Sequence, residues 1–189
     1  MQSRTYKIIL VFFLLTLISC SRKTEEENPI KYFEFSYDDT FGSSFTIVYK
    51  PKDSLYIRQH WSASEVFDSL KIPKGKTSYC AKISESDEQS LVKLISKLKL
   101  RKLKNEYFED YSDGRTYAMF IDKDSITKLI RVHSHTAPKE LDSLGGWIYQ
   151  LKQKLILKKT ERELKLKSSK FVLPPPPPPP IIEKNKNGI

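Results

Sequence analysis

At 189 residues the chain is long enough for one domain of ordinary size with an appendage, and too short for two. Its 39% hydrophobic, 12% aromatic and 30% charged residues are those of a globular domain, which excludes wholesale disorder and a multi-span membrane protein. The formal net charge of +10 is strongly basic, and two cysteines are too few for a disulfide-rich scaffold or a four-thiolate zinc site.

Arg4 and Lys7 form a positive start, and residues 8–18 form an apolar run interrupted only by Thr16. As a helix that run spans roughly 16 Å, about half the hydrocarbon core of a bilayer, which favours a cleavable signal over a membrane span. Leu17-Ile18-Ser19-Cys20 resembles the lipobox of bacterial lipoproteins. The resemblance implies cleavage between Ser19 and Cys20 and a diacylglycerol on Cys20, with a further acyl chain on the new amine. Two or three acyl chains hold a membrane firmly where one does not. Position two of the mature chain is Ser21, not the Asp that resembles an inner-membrane retention signal. Lys23-Thr24-Glu25-Glu26-Glu27 is similar to the surface-export signals of Bacteroidota-type lipoproteins, and equally reads as a solvated acidic tether.

Residues 1–19 are therefore read as signal, 20–30 as a lipidated tether, and 31–157 as the domain. Within it, residues 31–38 alternate through Phe33, Phe35 and Tyr37, with Glu34 and Ser36 on the opposite face. Residues 44–49 alternate again, so the pair reads as a hairpin. A third strand runs through Leu55 and Ile57. Ser62-x-x-Glu65 is a capping-box pattern before a short helix carrying Val66, Phe67 and Leu70, and residues 77–83 read as a strand. Ser86-x-x-Gln89 is a second capping box, followed by Leu91, Leu94, Ile95 and Leu98 at helical spacing. Residues 115–121 and 126–133 form a hairpin, and a last helix from Pro138 carries Leu141, Leu144, Ile148, Leu151 and Leu155. The order β-β-β-α-β-α-β-β-α predicts an α+β fold: an antiparallel sheet of about six strands with helices packed on one face.

Residues 158–189 read as a basic segment and tail. Residues 158–170 are Lys/Glu/Leu-rich and lose the helical apolar stripe, and residues 174–180 are seven consecutive prolines, a polyproline II rod. From Gln150 onward the net charge is +7, whereas residues 20–149 carry only +1. The basic stretch from Lys152 to Lys170 reads either as a grip on an anionic surface or as a solvated helix end. Its lysines lack the interleaved aromatics of a single-strand binder, so no nucleic-acid partner is expected.

Candidate chemistry is sparse. His133 and His135 lie two apart near a strand end, where both could serve a two-histidine metal site, the basis of a metal-dependent hydrolase reading. His60-Trp61 reads as packing, with Trp61 capping the core and His60 at its rim. Cys80 is the one thiol left after lipidation of Cys20, with no base marked for it. Glu106, Glu109, Asp110 and Asp113 cluster without the spacing of an EF-hand loop. There is no Gly-rich phosphate loop, and no cofactor is expected.

Asp39-Thr40-Phe41-Gly42-Ser43-Ser44-Phe45-Thr46-Ile47, then Tyr107 through Ser112-Asp113-Gly114-Arg115-Thr116-Tyr117, then Pro138 with Leu141 and Leu144, resembles a family of small uncharacterised domains in bacterial lipoproteins. Members often carry cysteines flanking the glycine of the first loop, where this chain has Phe41, Ser43 and Ser44. The family implies fold and location and brings no activity. The expectation is an outer-membrane lipid-anchored protein of the cell envelope with a non-catalytic binding domain. A tether built from the basic segment and proline rod is the alternative. Partners are then the membrane through the anchor, and an envelope polymer or protein.

Overall fold

A computed structural model of the chain describes residues 28–62, 76–111 and 114–172. The signal with Ser19 and Cys20, the tether up to residue 27, the helix expected around Val66–Leu70, Asp113 and the proline run all lie outside the described residues.

The described residues form one eight-stranded mixed sheet with two α-helices. In chain order the elements are β1 (Ile30–Asp39), β2 (Ser43–Tyr49), β3 (Leu55–Ser62), β4 (Thr77–Ala81), α1 (Glu85–Lys97), β5 (Glu106–Phe108), β6 (Arg115–Lys123), β7 (Ile126–His133), α2 (Lys139–Lys154) and β8 (Lys158–Lys159). The sheet order is β5-β7-β6-β1-β2-β3-β4-β8. All neighbours are antiparallel except β5 and β7. This corrects the expected α+β fold of six antiparallel strands. The two added strands are three and two residues long, too short to show a period.

Alternation on β1 explains the core. Phe33, Phe35 and Tyr37 face the helices and pair across β2 with Tyr49, Ile47 and Phe45. Leu91 and Ile95 of α1 and Leu141, Leu144, Ile148 and Leu151 of α2 close over them. Gly145 lets α2 approach closely: a Cβ there would stand 3.5 Å from the Phe35 ring. The Tyr49 hydroxyl donates to Glu88 at 2.6 Å and ties α1 to the sheet. The cap of α1 is Ser84, not Ser86: its hydroxyl accepts from the Asp87 amide at 3.1 Å. Ser84-x-x-Asp87 has the same spacing as the Ser86 box, and the earlier start puts Glu85, Asp87 and Glu88 in the first turn, where the helix dipole favours them.

The fold does not stop at Leu157. After β8 pairs with β4, residues 160–172 cross the face of the sheet opposite the helices, and we call them the strap. Arg162 reaches Tyr56 on β3, Ser168 reaches Glu34 and Ser36 on β1, and the Lys167 ammonium lies over Phe120 on β6. From β8 to β6 is five inter-strand spacings, about 24 Å, which residues 159–167 cover only in near-full extension.

Candidate functional site

Glu34 and Ser36 point away from the helices, as their alternation requires, yet both are fully buried rather than solvent-facing, because the strap covers them. Glu34 collects donors from three directions. The Tyr32 hydroxyl donates to it at 2.6 Å, the Lys167 and Ser168 amides at 2.8 and 2.6 Å, and the Ser168 hydroxyl at 2.7 Å. Burial, and then the bond to Glu34, pushes the Tyr32 phenol far above its usual range, which keeps it a donor. The Lys167 ammonium sits over the Tyr32 and Phe120 rings, 4.5 and 4.1 Å from their centres.

A line of hydroxyls continues from there across β1 and β2 to β3. The Ser168 and Ser36 oxygens are 2.7 Å apart, Ser36 and Thr46 are 2.7 Å apart, and Thr46 is 2.9 Å from His60 Nε2. Counting protons fixes the direction of every bond. A carboxylate only accepts, so Ser168 donates to Glu34, Ser36 to Ser168, Thr46 to Ser36, and His60 Nε2–H to Thr46. The three hydroxyls are buried and each has its proton engaged, so the row is a structural seam and holds no exposed nucleophile. Burial first, and then the charge of Arg58, lowers the His60 pKa from 6.5 to about 4. His60 is thus on the strap side and not at the rim of the core, while Trp61 gives its indole N–H to Asp38 at 3.0 Å.

Beside this seam the strap stands over a groove of about 510 Å³. Its floor comes from β3 and β4, with Arg58 Nη1 donating to Ser78 Oγ at 3.2 Å. Lys76, Lys159 and Arg162 add three cations to its lining, against Glu161 and Glu163. Arg162 also pairs with Asp53 and covers the Tyr56 ring. A second hollow of about 550 Å³ lies at the far end of the strap, between Phe171, β7 and the turn around Leu100. Its Arg131 is already paired with Glu106 at 3.0 Å.

The expected histidine pair is not brought together as two ligands. The Tyr111 ring stacks between His133 and His135, with centres 3.9 and 4.7 Å away. Both nitrogens of His133 are engaged, Nε2 with the Tyr111 carbonyl at 2.9 Å and Nδ1 with the Thr116 hydroxyl at 2.7 Å. Gly114, at φ 131, makes room for that ring, since a Cβ there would lie 3.0 Å from it. The acidic cluster does not converge either. Glu106 turns to Arg131, and Glu109 accepts from the Thr136 hydroxyl, the His135 amide and the Ser134 hydroxyl, which hold its pKa down to about 2. Among the described residues no group of three His, Cys, Asp or Glu is placed to hold a metal ion. Cys80 sits half-buried on β4, beside the groove strand residue Ser78.

No family model, curated protein or solved structure matches the chain.

The residues that build the seam and the groove beside it are Glu34, Ser36, Thr46, Arg58 and Ser168, and composition hid them. A net charge near zero over residues 20–149 conceals the fact that strand alternation sends Arg58 to the strap face. The signal for the strap was in the sequence: Leu164, Leu166 and Ser168 alternate with Glu163, Lys165 and Lys167, a period of two.

Proposed function

We propose that this is a lipid-anchored lipoprotein of the outer membrane whose sheet domain binds, without catalysis, an anionic polymer of the envelope. The observation that carries the ligand class is the groove under the strap, where Arg58, Lys76, Lys159 and Arg162 surround Ser78 and Thr160. Guanidinium and ammonium groups beside hydroxyls suit carboxylate- or phosphate-bearing chains. The anchor rests on Leu17-Ile18-Ser19-Cys20. The basic segment, read from sequence as a separate grip, contributes one wall of the same groove through Lys159 and Arg162.

Two measurements on the full-length protein test this. Oligogalacturonate should bind in detergent with an affinity that falls at least tenfold in Arg58→Glu and weakens with salt, while a neutral oligosaccharide of equal length should not compete. Equal binding by wild type and Arg58→Glu removes the groove as the site. In cells, Cys20→Ala should release the protein from the membrane fraction, and unchanged fractionation removes the lipid anchor.

A further inference from the structure

We propose that residues 161–166 form a releasable bar across the groove and that Glu34 is the catch holding it shut. The inference rests on the groove being the binding site, and concerns how a ligand gets in. Its basis is how the strap is attached. At one end it is continuous with β8, and the Thr160 amide donates to the Ser78 carbonyl at 3.0 Å. From there to Lys167, no backbone hydrogen bond among the described residues ties the strap to the sheet. A sheet strand of that length would carry several.

The next backbone attachments, at the Lys167 and Ser168 amides, both go to one side chain, Glu34, which also takes the Ser168 hydroxyl. Between the two ends, the polar attachment to the sheet among the described residues is Arg162, through Tyr56 and an ion pair with Asp53 whose side chains are 47% and 36% exposed. Pairs that open to water contribute little. The groove lies in this same interval, under Glu161, Glu163, Leu164 and Leu166. At its far end Glu34 takes three of the strap's donors, beside the Ser36–Ser168 bond and the Lys167 ammonium over the Tyr32 and Phe120 rings, so losing that carboxylate removes most of the hydrogen bonds that close this end. That loss leaves β1 and β2 paired, because their ladder does not involve the strap. An extended polymer cannot thread beneath the bar quickly while both ends hold, so loading waits on release of the catch.

The test combines a loosened catch and a locked one in the full-length protein. Glu34→Gln keeps the size of the side chain but loses the charge that gathers the three strap donors. Hydrogen exchange at the Lys167 and Ser168 amides, whose acceptor is Glu34, should then quicken at least tenfold, with β2 amides unchanged. The Ser36 and Ser168 oxygens are 2.7 Å apart, so Ser36→Cys with Ser168→Cys, in a Cys80→Ser background, brings two sulfurs within bonding reach. Oxidised, this variant should take up oligogalacturonate at least tenfold more slowly than after reduction, with uptake restored by reductant. Equal uptake rates in the two redox states, or unchanged exchange in Glu34→Gln, overturns the proposal. If the wild type takes up no oligogalacturonate, the groove reading falls, and amide exchange in Glu34→Gln still decides whether Glu34 is the catch.

Discussion

Replacing Phe35 with alanine is expected to cost about 3–5 kcal/mol, the largest effect of any single truncation in the domain. The ring is fully buried on β1, a central strand, with Tyr117 at 5.8 Å, Tyr37 at 6.2 Å and Phe45 at 6.3 Å between ring centres. Truncation costs most where neighbours cannot move in, and here they cannot. β1 is laddered on both sides by β2 and β6, and the helix above presents Gly145, which has no side chain to lean into the space. The test is urea unfolding, with a shifted midpoint and an unchanged slope. Phe41→Ala is the control, because that ring is 73% exposed in the β1–β2 turn and should change stability by less than about 0.5 kcal/mol. A cost under about 1 kcal/mol at Phe35 would mean that the helix face is not the packed core described above.

The same strand shows what sequence can and cannot say. Phe33, Phe35 and Tyr37 announce their side of the sheet by period alone, because a buried face requires apolar residues at every second position. Their complement, Glu34 and Ser36, is equally regular, but polarity does not say whether water or a covering segment satisfies it. Ser168, more than 130 residues away in sequence, supplies the hydrogen bonds water would have made. The period of two over residues 163–168 marks an extended segment, but no local pattern says which face it will cover.

Short elements fail for a different reason. β5 exists because Glu106–Phe108 finds the exposed edge of β7 in parallel register, and β8 because Lys158 and Lys159 reach β4. Both are consequences of the assembled sheet rather than of residue preference. The histidine pair shows a third kind of failure. Spacing of two placed His133 and His135 on one side, but Tyr111 enters between them from a loop that the sequence marks only as polar.

The electrostatic consequence of the seam is a loss of about 2 kcal/mol of stability as pH falls from 6.5 to 4, with His60 as its source. Inside the fold His60 is held neutral down to about 4, because burial and the nearby Arg58 both oppose its charge. In the unfolded chain it takes a proton near 6.5, so between the two values the unfolded state binds the extra proton and gains from acid. Stability is therefore complete above 6.5, declines as pH drops toward 4, and levels off for this group below it. The gap sets an upper bound of roughly 3 kcal/mol, which the partial solvent access of the ring reduces. Glu109 acts in a lower window, between its ordinary 4.5 and about 2, so the two contributions overlap only between 4 and 4.5. His60→Gln keeps an N–H donor for Thr46 and has nothing to titrate there, so its stability should stay flat from 6.5 to 4.5 while the wild type declines. An unchanged decline in that variant would place the proton elsewhere and leave His60 charged inside the fold, which the direction of the hydroxyl chain permits but its burial beside Arg58 opposes.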